Sequence, residues 1–547
     1  MSRLARLAFK RMKYPGNPDT PVRIERAIRV PMTDGTELLT DRYIPDGGEQ
    51  LPVVLVRSPY GRSLGLAIGM VYPLVWNGYQ VVFQSCRGTG GSAGRFDPHH
   101  DEHDDGLATV AWLRQQPWAQ AGIVTYGMSY LGYTQWAIAR DATDVRAMAM
   151  LVTMSNFAGM TYAGDSLMLE NAMGWTSMMA RMASTPVWRM IVGRLLGLDR
   201  IKPKQWRHLP LRTLDQAVVA QPVSFWRDWM QHDSHRDPWW VPMDFHRSIA
   251  DVRTPVTLVA GWHDIFTPWQ LQDFAAMQDA GRDARITIGP WRHTDRGVVR
   301  EGLVEALALF RAALHGDRSG LRDKRVRLYV QQAEKWREFE QWPPEGARTV
   351  RWHLHPENGL DGAPAATPGA TALRYDPADP TPSVGGPALD AKPYSVDNRA
   401  LEARADVLCF TSAPLSVDID VIGPLQAELY IRSDSASADF FVRLCDVDEH
   451  GVSRNVCDGL QRVVVHSDGA PQQVRVSLWP TAWRFHAGHR LRVQVSGGAF
   501  PRWARNTGSG ETLGAAQQLH VAHHRILHGP EHPSALMVPM FTVSAAR

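Results

Sequence analysis

The sequence predicts an α/β protein: a mostly parallel sheet covered by helices, interrupted by a helical insertion and followed by an antiparallel β-sandwich. Three observations predict it. Val53-Val-Leu-Val-Arg57 and Tyr79-Gln-Val-Val-Phe83 are short, almost wholly apolar runs, as strands are when buried on both faces of a parallel sheet. Between about Ser155 and Met243 the strand–helix rhythm stops, and tryptophan and methionine accumulate. Beyond about Arg325 apolar and polar residues alternate in short runs separated by Pro/Gly-rich turns, the pattern of half-buried antiparallel strands.

The elements follow in order. Arg23 to Val30 and Glu37 to Tyr43 read as strands around the turn Thr33-Asp-Gly35. The two apolar runs come next, with a helix between them ending near Asn77-Gly78. Asp104 to Gln115 reads as an amphipathic helix with Leu107, Val110, Ala111 and Leu113 on its apolar side and acidic residues at its start, where they complement the helix dipole. Ile123 to Tyr126 is a further strand. The insertion carries Met160, Met168, Met173, Met178, Met179, Met182 and Met190 with Trp175, Trp188, Trp206, Trp226, Trp229, Trp239 and Trp240. These side chains either form the insertion's own core or wall an apolar pocket. Pro255 to Gly261 and Arg285 to Gly289 resume the parallel sheet, and Val299 to Leu314 is amphipathic. Val326 to Val330, Thr349 to Leu354, Leu425 to Arg432, Phe440 to Asp446, Gln473 to Leu478 and His489 to Val495 supply the sandwich.

Bulk properties bound the function. A chain of 547 residues exceeds one ordinary core, so two or three domains are expected. Its 59 basic and 56 acidic side chains leave a net charge of +3, and no basic run stands out beyond the first thirteen residues, so no nucleic-acid partner is expected. Apolar runs all fall short of the roughly 18 residues needed to span a bilayer, so neither is a membrane. Arginines interrupt the apolar residues of Met1 to Lys13, which reads as a surface tail without a secretory core. Cys86, Cys409, Cys445 and Cys457 lack CxxC spacing and are expected to be reduced thiols in a cytoplasmic protein, with no structural metal. The oligomeric state is open, and a homo-oligomer is compatible with the sequence.

The chemistry concentrates in Ile123-Val-Thr-Tyr-Gly-Met-Ser-Tyr-Leu-Gly132. A strand meeting a glycine, then a serine, then a helix is how a sheet raises a hydroxyl beside the free N–H groups of a helix end. A serine hydroxyl is a poor nucleophile alone and needs a base and an orienting acid. Asp264 in Gly261-Trp-His-Asp264 and His293 in Gly289-Pro-Trp-Arg-His293 each follow a predicted strand directly, on the side where α/β sheets assemble their sites. Asp273 competes for the acid role, but it falls inside the following helix and is expected to be surface-exposed. Two decoys accompany them. Asp97-Pro-His-His-Asp-Glu-His-Asp-Asp105 has the composition of a metal site, but it opens a helix where acids cap and complement the dipole. Arg87-Gly-Thr-Gly-Gly-Ser92 lacks the Gly-Lys-Ser/Thr of a phosphate loop and reads as a tight turn that uses glycine dihedrals.

The motifs Gly127-Met-Ser-Tyr-Leu-Gly132, Gly261-Trp-His-Asp264 and Gly289-Pro-Trp-Arg-His293, with Arg57-Ser-Pro-Tyr-Gly-Arg62, Cys86-Arg-Gly-Thr-Gly-Gly-Ser92, Gln116-Pro-Trp118, Gly488-His-Arg-Leu-Arg492 and Phe500-Pro-Arg-Trp-Ala-Arg-Asn506, resemble the cocaine esterase / X-Pro dipeptidyl peptidase group of α/β-hydrolases. The group's serine motif G-x-S-Y-x-G accounts for a second glycine at Gly132 rather than at position 131. The resemblance implies an α/β-hydrolase domain at 1–150 and 245–320, a helical cap at 151–244 and a jelly-roll sandwich at 325–547. It implies Ser129, Asp264 and His293 as the catalytic triad, and the Tyr60 hydroxyl with the Tyr130 backbone N–H as oxyanion hole. It implies hydrolysis of a small-molecule ester or amide with no cofactor and no metal. X-Pro dipeptide release, α-amino ester hydrolysis and a sugar- or partner-binding sandwich on an inactive scaffold are the alternatives.

Overall fold

The structure is a computed structural model that describes residues 6, 10, 11, 13–184, 199–389, 393–466 and 468–542. Most of the basic N-terminal segment, together with Trp188 and Met190, lies outside the described residues. The chain forms two compact units. One comprises Met1–Phe157, Val241–Leu328 and Glu338–Trp342; the other comprises Ala158–Trp240, Tyr329–Arg337 and Pro343–Arg547.

The first unit is built on a sheet. Strands β1 (Val22–Pro31) and β2 (Glu37–Pro45) form an antiparallel hairpin. Then come β3 (Val53–Ser58), β4 (Gln80–Ser85), β5 (Ile123–Met128), β6 (Val145–Leu151), β7 (Val256–Gly261), β8 (Ala284–Gly289) and β9 (Val326–Val330). The strand order is β1-β2-β4-β3-β5-β6-β7-β8-β9, with Lys335–Phe339 as a tenth strand beyond β9, and β3 to β9 run parallel. β3, β4, β7 and β8 are buried at every residue. β3, β4 and β7 accordingly read as nearly continuous apolar runs, whereas β8 buries Arg285 and Thr287 through hydrogen bonds to Arg322 O and Glu305 Oε1. Register positions the site: Met128 of β5 lies level with Leu151 of β6, Leu151 with Val259 of β7, and Gly261 with Gly289 of β8. The loops leaving β5, β7 and β8 therefore exit at one edge.

Two strands depart from the sequence reading. β6, Val145-Arg-Ala-Met-Ala-Met-Leu151, went unread because alanine and methionine carry little strand preference; its place in the middle of the sheet buries it regardless. Val326 to Val330 was expected in the antiparallel sandwich, but Val326 to Leu328 pair in parallel with Ile286 to Ile288 of β8. Its alternation reports one covered face and not the direction of its neighbour.

Helices α1 (Glu102–Arg114), α2 (Tyr130–Trp136), α3 (Thr267–Asp279) and α4 (Arg296–His315) cover this sheet. α4 turns Val298, Leu303, Ala306, Leu307 and Phe310 into the main core with Val124, Leu151 and Val259. α1 corrects an expectation. Ala111 is exposed and Leu107 only half-buried, while Glu102, Asp105 and Thr109 are buried beside Val110 and Leu113. Its inner face is polar because it meets arginines.

In the second unit, helices Leu169–Ser184, Leu214–Val219 and Ser224–Gln231 carry much of the tryptophan- and methionine-rich segment. Trp226, Trp229, Trp240, Met168 and Met173 are almost completely buried, so they build core. The remainder is antiparallel sheet. Ile419–Ser433 pairs with Gln472–Phe485, Ala522–His528 and Ala535–Thr542 in one sheet. Val407–Thr411, Arg490–Ser496, Ser437–Val447 and Ser453–Val464 form another. Among the described residues, no helix is long and apolar enough to cross a membrane.

Candidate active site

Ser129 directly follows β5 with φ 58° and ψ −128°, a conformation L-residues avoid and one that costs about 1–3 kcal/mol. The surroundings hold it there. Its N–H donates to Leu151 O (2.9 Å), and its carbonyl accepts from Gly132 N (2.9 Å), Tyr133 N (3.1 Å) and Thr153 Oγ1 (2.7 Å). The turn closes only because its flanking glycines lack side chains. A Cβ at Gly127 would lie 2.6 Å from Leu131 Cβ, and one at Gly132 would lie 2.6 Å from Thr153 Cβ. Position 131 instead points into the core as a buried leucine, so the second glycine belongs at 132. The half-buried Ser129 stands at the N-terminus of α2.

Asp264 and His293 lie on the neighbouring exits. Asp264 is fully buried in a turn after β7: its N–H donates to Gly261 O (2.8 Å), and its Oδ1 accepts from Phe266 N (2.8 Å). Its Oδ2 lies 2.6 Å from His293 Nδ1. With one carboxylate oxygen fixed by backbone and the other by imidazole, His293 carries its proton on Nδ1 and presents Nε2 as acceptor. The structure thus joins His293 to Asp264. It brings Ser129 to the same edge, although among the described residues its Oγ makes no hydrogen bond to His293.

Tyr60 follows β3, half-buried against the core, with its N–H donating to Ser58 Oγ (3.1 Å). Tyr130 occupies the first turn of α2, where helix N–H groups point outward. Its phenol is buried, donates to Glu102 Oε1 (2.9 Å) and accepts from His99 N (2.9 Å). Burial first, and then the Glu102 carboxylate, push that phenol's pKa well up. Glu102 also pairs with buried Arg57, whose Nη1 lies 3.0 Å from Glu102 Oε2 and donates to Glu102 O (2.9 Å). Sequence reasoning took Glu102 for a helix-end acid. The available signal was a carboxylate and an arginine, each beside a motif, and sequence alone could not pair them.

The acidic and histidine cluster at 97–105 disperses. Asp105 pairs with Arg87 (2.6 Å), His103 lies between Asp104 and Asp141, and the His99 ring stacks on Phe157 with centroids 3.8 Å apart. Among the described residues, no group of histidine, cysteine, aspartate or glutamate is arranged to hold a metal. The loop after Cys86 uses φ 66° at Gly88, 52° at Gly90 and 89° at Gly91.

Two family models match. The X-Pro dipeptidyl-peptidase (S15) model covers residues 34–295, and the X-Pro dipeptidyl-peptidase C-terminal non-catalytic domain model covers residues 320–537. Cocaine esterase from Rhodococcus sp. (strain MB1 Bresler) is 29% identical over 94% of this chain and 98% of its own length. The chain belongs to the cocaine esterase / X-Pro dipeptidyl peptidase family. As a family member it is a hydrolytic enzyme, a serine esterase or peptidase of the S15 type, and the reading as an inactive binding scaffold falls away. Solved structures agree on the fold. An aminopeptidase from a marine sediment Thaumarchaeota archaeon superposes with TM-score 0.83 at 21% identity, covering 97% of this chain and 98% of that one. An α-amino acid ester hydrolase superposes with TM-score 0.82 at 20% identity, covering 96% and 98%. The fold is the α/β-hydrolase domain with a C-terminal β-sandwich.

In this family member Asp273 is not the exposed residue expected. It is buried on α3, accepts from Ser155 N (3.1 Å) and Ser155 Oγ (2.5 Å), and meets His246 Nδ1 at 3.0 Å. α3 turns this position inward, so the carboxylate ties the loop leaving β6 to the chain's return toward β7.

Proposed function

We propose that this enzyme is a serine esterase acting through an acyl-enzyme, with Ser129 as nucleophile, His293 as general base and Asp264 as its orienting acid. The reading is carried by the 2.6 Å contact between His293 Nδ1 and Asp264 Oδ2, on loops level with a strained serine. His293 Nε2 takes the Ser129 proton as the hydroxyl attacks the ester carbonyl. The Tyr60 hydroxyl and the Tyr130 backbone N–H donate to the oxyanion as charge develops. The leaving alkoxide then takes the proton from His293, and water repeats the cycle to release the acid. Catalytic hydrogen bonds of this kind tighten when substrate is bound. No cofactor enters these steps. Four free thiols, three of them buried, support a reducing, cytoplasmic setting.

An ester is favoured over a dipeptide by one observation. Holding a substrate ammonium requires carboxylates not already committed, and of Asp165, Glu170 and Asp244 in or beside the insertion, Asp165 is engaged by Arg236 (3.1 Å) and Asp244 by Arg247 (2.9 Å). A panel of p-nitrophenyl acyl esters, Gly-Pro anilides and α-amino acid esters tests this preference, with the acyl esters expected to turn over fastest. Faster release from Gly-Pro anilides would replace the esterase reading with a dipeptidyl peptidase. Ser129→Ala is expected to lower ester turnover by about three orders of magnitude or more.

A further inference from the structure

Glu102 sits beneath the serine turn and touches both structural routes to the proposed oxyanion donors. One oxygen, Oε1, accepts the Tyr130 phenol (2.9 Å), on the residue whose backbone N–H is one donor. The other, Oε2, meets Arg57 Nη1 (3.0 Å) on β3, the strand that ends just before Tyr60. Arg57 is anchored further by Gln84 Oε1 on β4 (3.0 Å), and Cys86 Sγ approaches Glu102 Oε2 at 3.6 Å. Glu102 is 4% exposed, Arg57 2% and Tyr130 4%, so this network is sealed from water. Burying an acid and an arginine is unfavourable unless their geometry is fixed. Fixed geometry is also what an oxyanion hole requires, because preorganised donors do not have to reorient at the transition state.

We infer that Glu102 is a positioning residue that locks the Tyr130 backbone N–H and the Tyr60 strand into one register, setting the oxyanion hole without touching substrate. The inference rests on the proposed role of Ser129. If it is right, disturbing this network weakens transition-state binding and leaves substrate binding alone. The test uses the full chain with Tyr130→Phe, Glu102→Gln and the double variant. Tyr130→Phe keeps the backbone donor and the Glu102–Arg57 pair, so it remains informative even where Glu102→Gln folds poorly.

Three quantities are read well below the melting temperature: kcat and KM for a p-nitrophenyl ester, and inhibition by a phenylboronic acid, which mimics the tetrahedral adduct on serine. Tyr130→Phe is expected to lower kcat by about tenfold or more and to weaken boronate inhibition in proportion, with KM within twofold. The double variant is expected to be no slower than Glu102→Gln alone, because both changes break one linkage. Unchanged kcat and boronate affinity in Tyr130→Phe would overturn the inference, as would a fall in activity that merely follows the melting temperature. A fluorophosphonate separates the two claims. Absence of an adduct on Ser129 in the parent enzyme defeats the underlying reading, whereas normal labelling with unaffected variants defeats only the role of Glu102.

Discussion

At the scale of single residues, the serine turn shows how little space this chemistry leaves. Gly132 faces Thr153, whose hydroxyl supports the Ser129 carbonyl at 2.7 Å. A methyl group at 132 would fall 2.6 Å from Thr153 Cβ and 2.8 Å from its Oγ1, contacts that only movement can relieve. Gly132→Ala should therefore destabilise the protein by about 1–3 kcal/mol and, on the proposed mechanism, slow ester hydrolysis as well, since the displaced threonine holds the Ser129 backbone. Thermal melts and initial rates on one preparation check both halves; an active variant of parental stability would refute the packing argument. Asp264→Asn probes the neighbouring exit. The Phe266 N–H to Oδ1 bond survives in an amide, but the acceptor for His293 Nδ1–H is weakened or inverted. Turnover is expected to drop by about 10⁴, with little change in KM.

At the scale of elements, the parallel strands were legible because burial on both faces leaves a nearly continuous apolar run, as in β3, β4 and β7, while β8 was legible from its β-branched residues between turn glycines despite buried Arg285 and Thr287. β6 escaped notice because its alanines and methionines are placed by the sheet around them rather than by preference. Ser453–Val464 escaped because Asn455 and Asp458 are buried in it, so polarity no longer marks the outer face. Of the candidate site, motif spacing pointed to Ser129, Asp264 and His293, since each lies on the loop that leaves its strand. Asp273 was misjudged, and the pairing of Glu102 with Arg57 went unread, because helix position alone does not tell which face meets an arginine or a histidine. Asp273 supplies a test at this level. Its carboxylate joins α3 to Ser155, just beyond β6, and to His246, on the chain's return toward β7. Asp273→Ala should destabilise the fold by roughly 3 kcal/mol, because several donors lose a buried acceptor. Near-native turnover per folded molecule should remain, in contrast to Asp264→Asn. Comparing active-site-titrated rates with denaturation midpoints distinguishes the two aspartates.

At the scale of the whole molecule, acid should weaken the sandwich before it weakens the buried ion pairs. His524 and His528 lie on the strand Ala522–His528, each 2% exposed, and burial lowers both pKa values from 6.5 to about 4. His524 Nδ1 meets Ser433 Oγ at 2.9 Å, and His528 Nε2 meets Thr371 Oγ1 at 2.8 Å, so both are accommodated as neutral rings. Between pH 6.5 and 4 the unfolded chain binds a proton at each site and the folded chain does not. Stability therefore rises with pH across that window and falls on acidification. The loss approaches about 3 kcal/mol for each histidine near pH 4, at roughly 1.4 kcal/mol per pKa unit. Asp458, held below the usual carboxylate range by Arg502 and Arg443 against the penalty of burial, contributes only at lower pH. The interval from pH 6.5 to 4.5 thus isolates the histidines from this acid. Hydrogen exchange on Gly369–Tyr375 and its antiparallel partner Ala522–His528 reads the effect where it arises. Protection there, corrected for intrinsic exchange, should fall steeply in the parent enzyme across that interval. His524→Asn with His528→Gln, which keep hydrogen-bonding atoms near Nδ1 and Nε2 without a titrating ring, should flatten the slope. An equally steep loss in the double variant would assign the acid sensitivity to other groups.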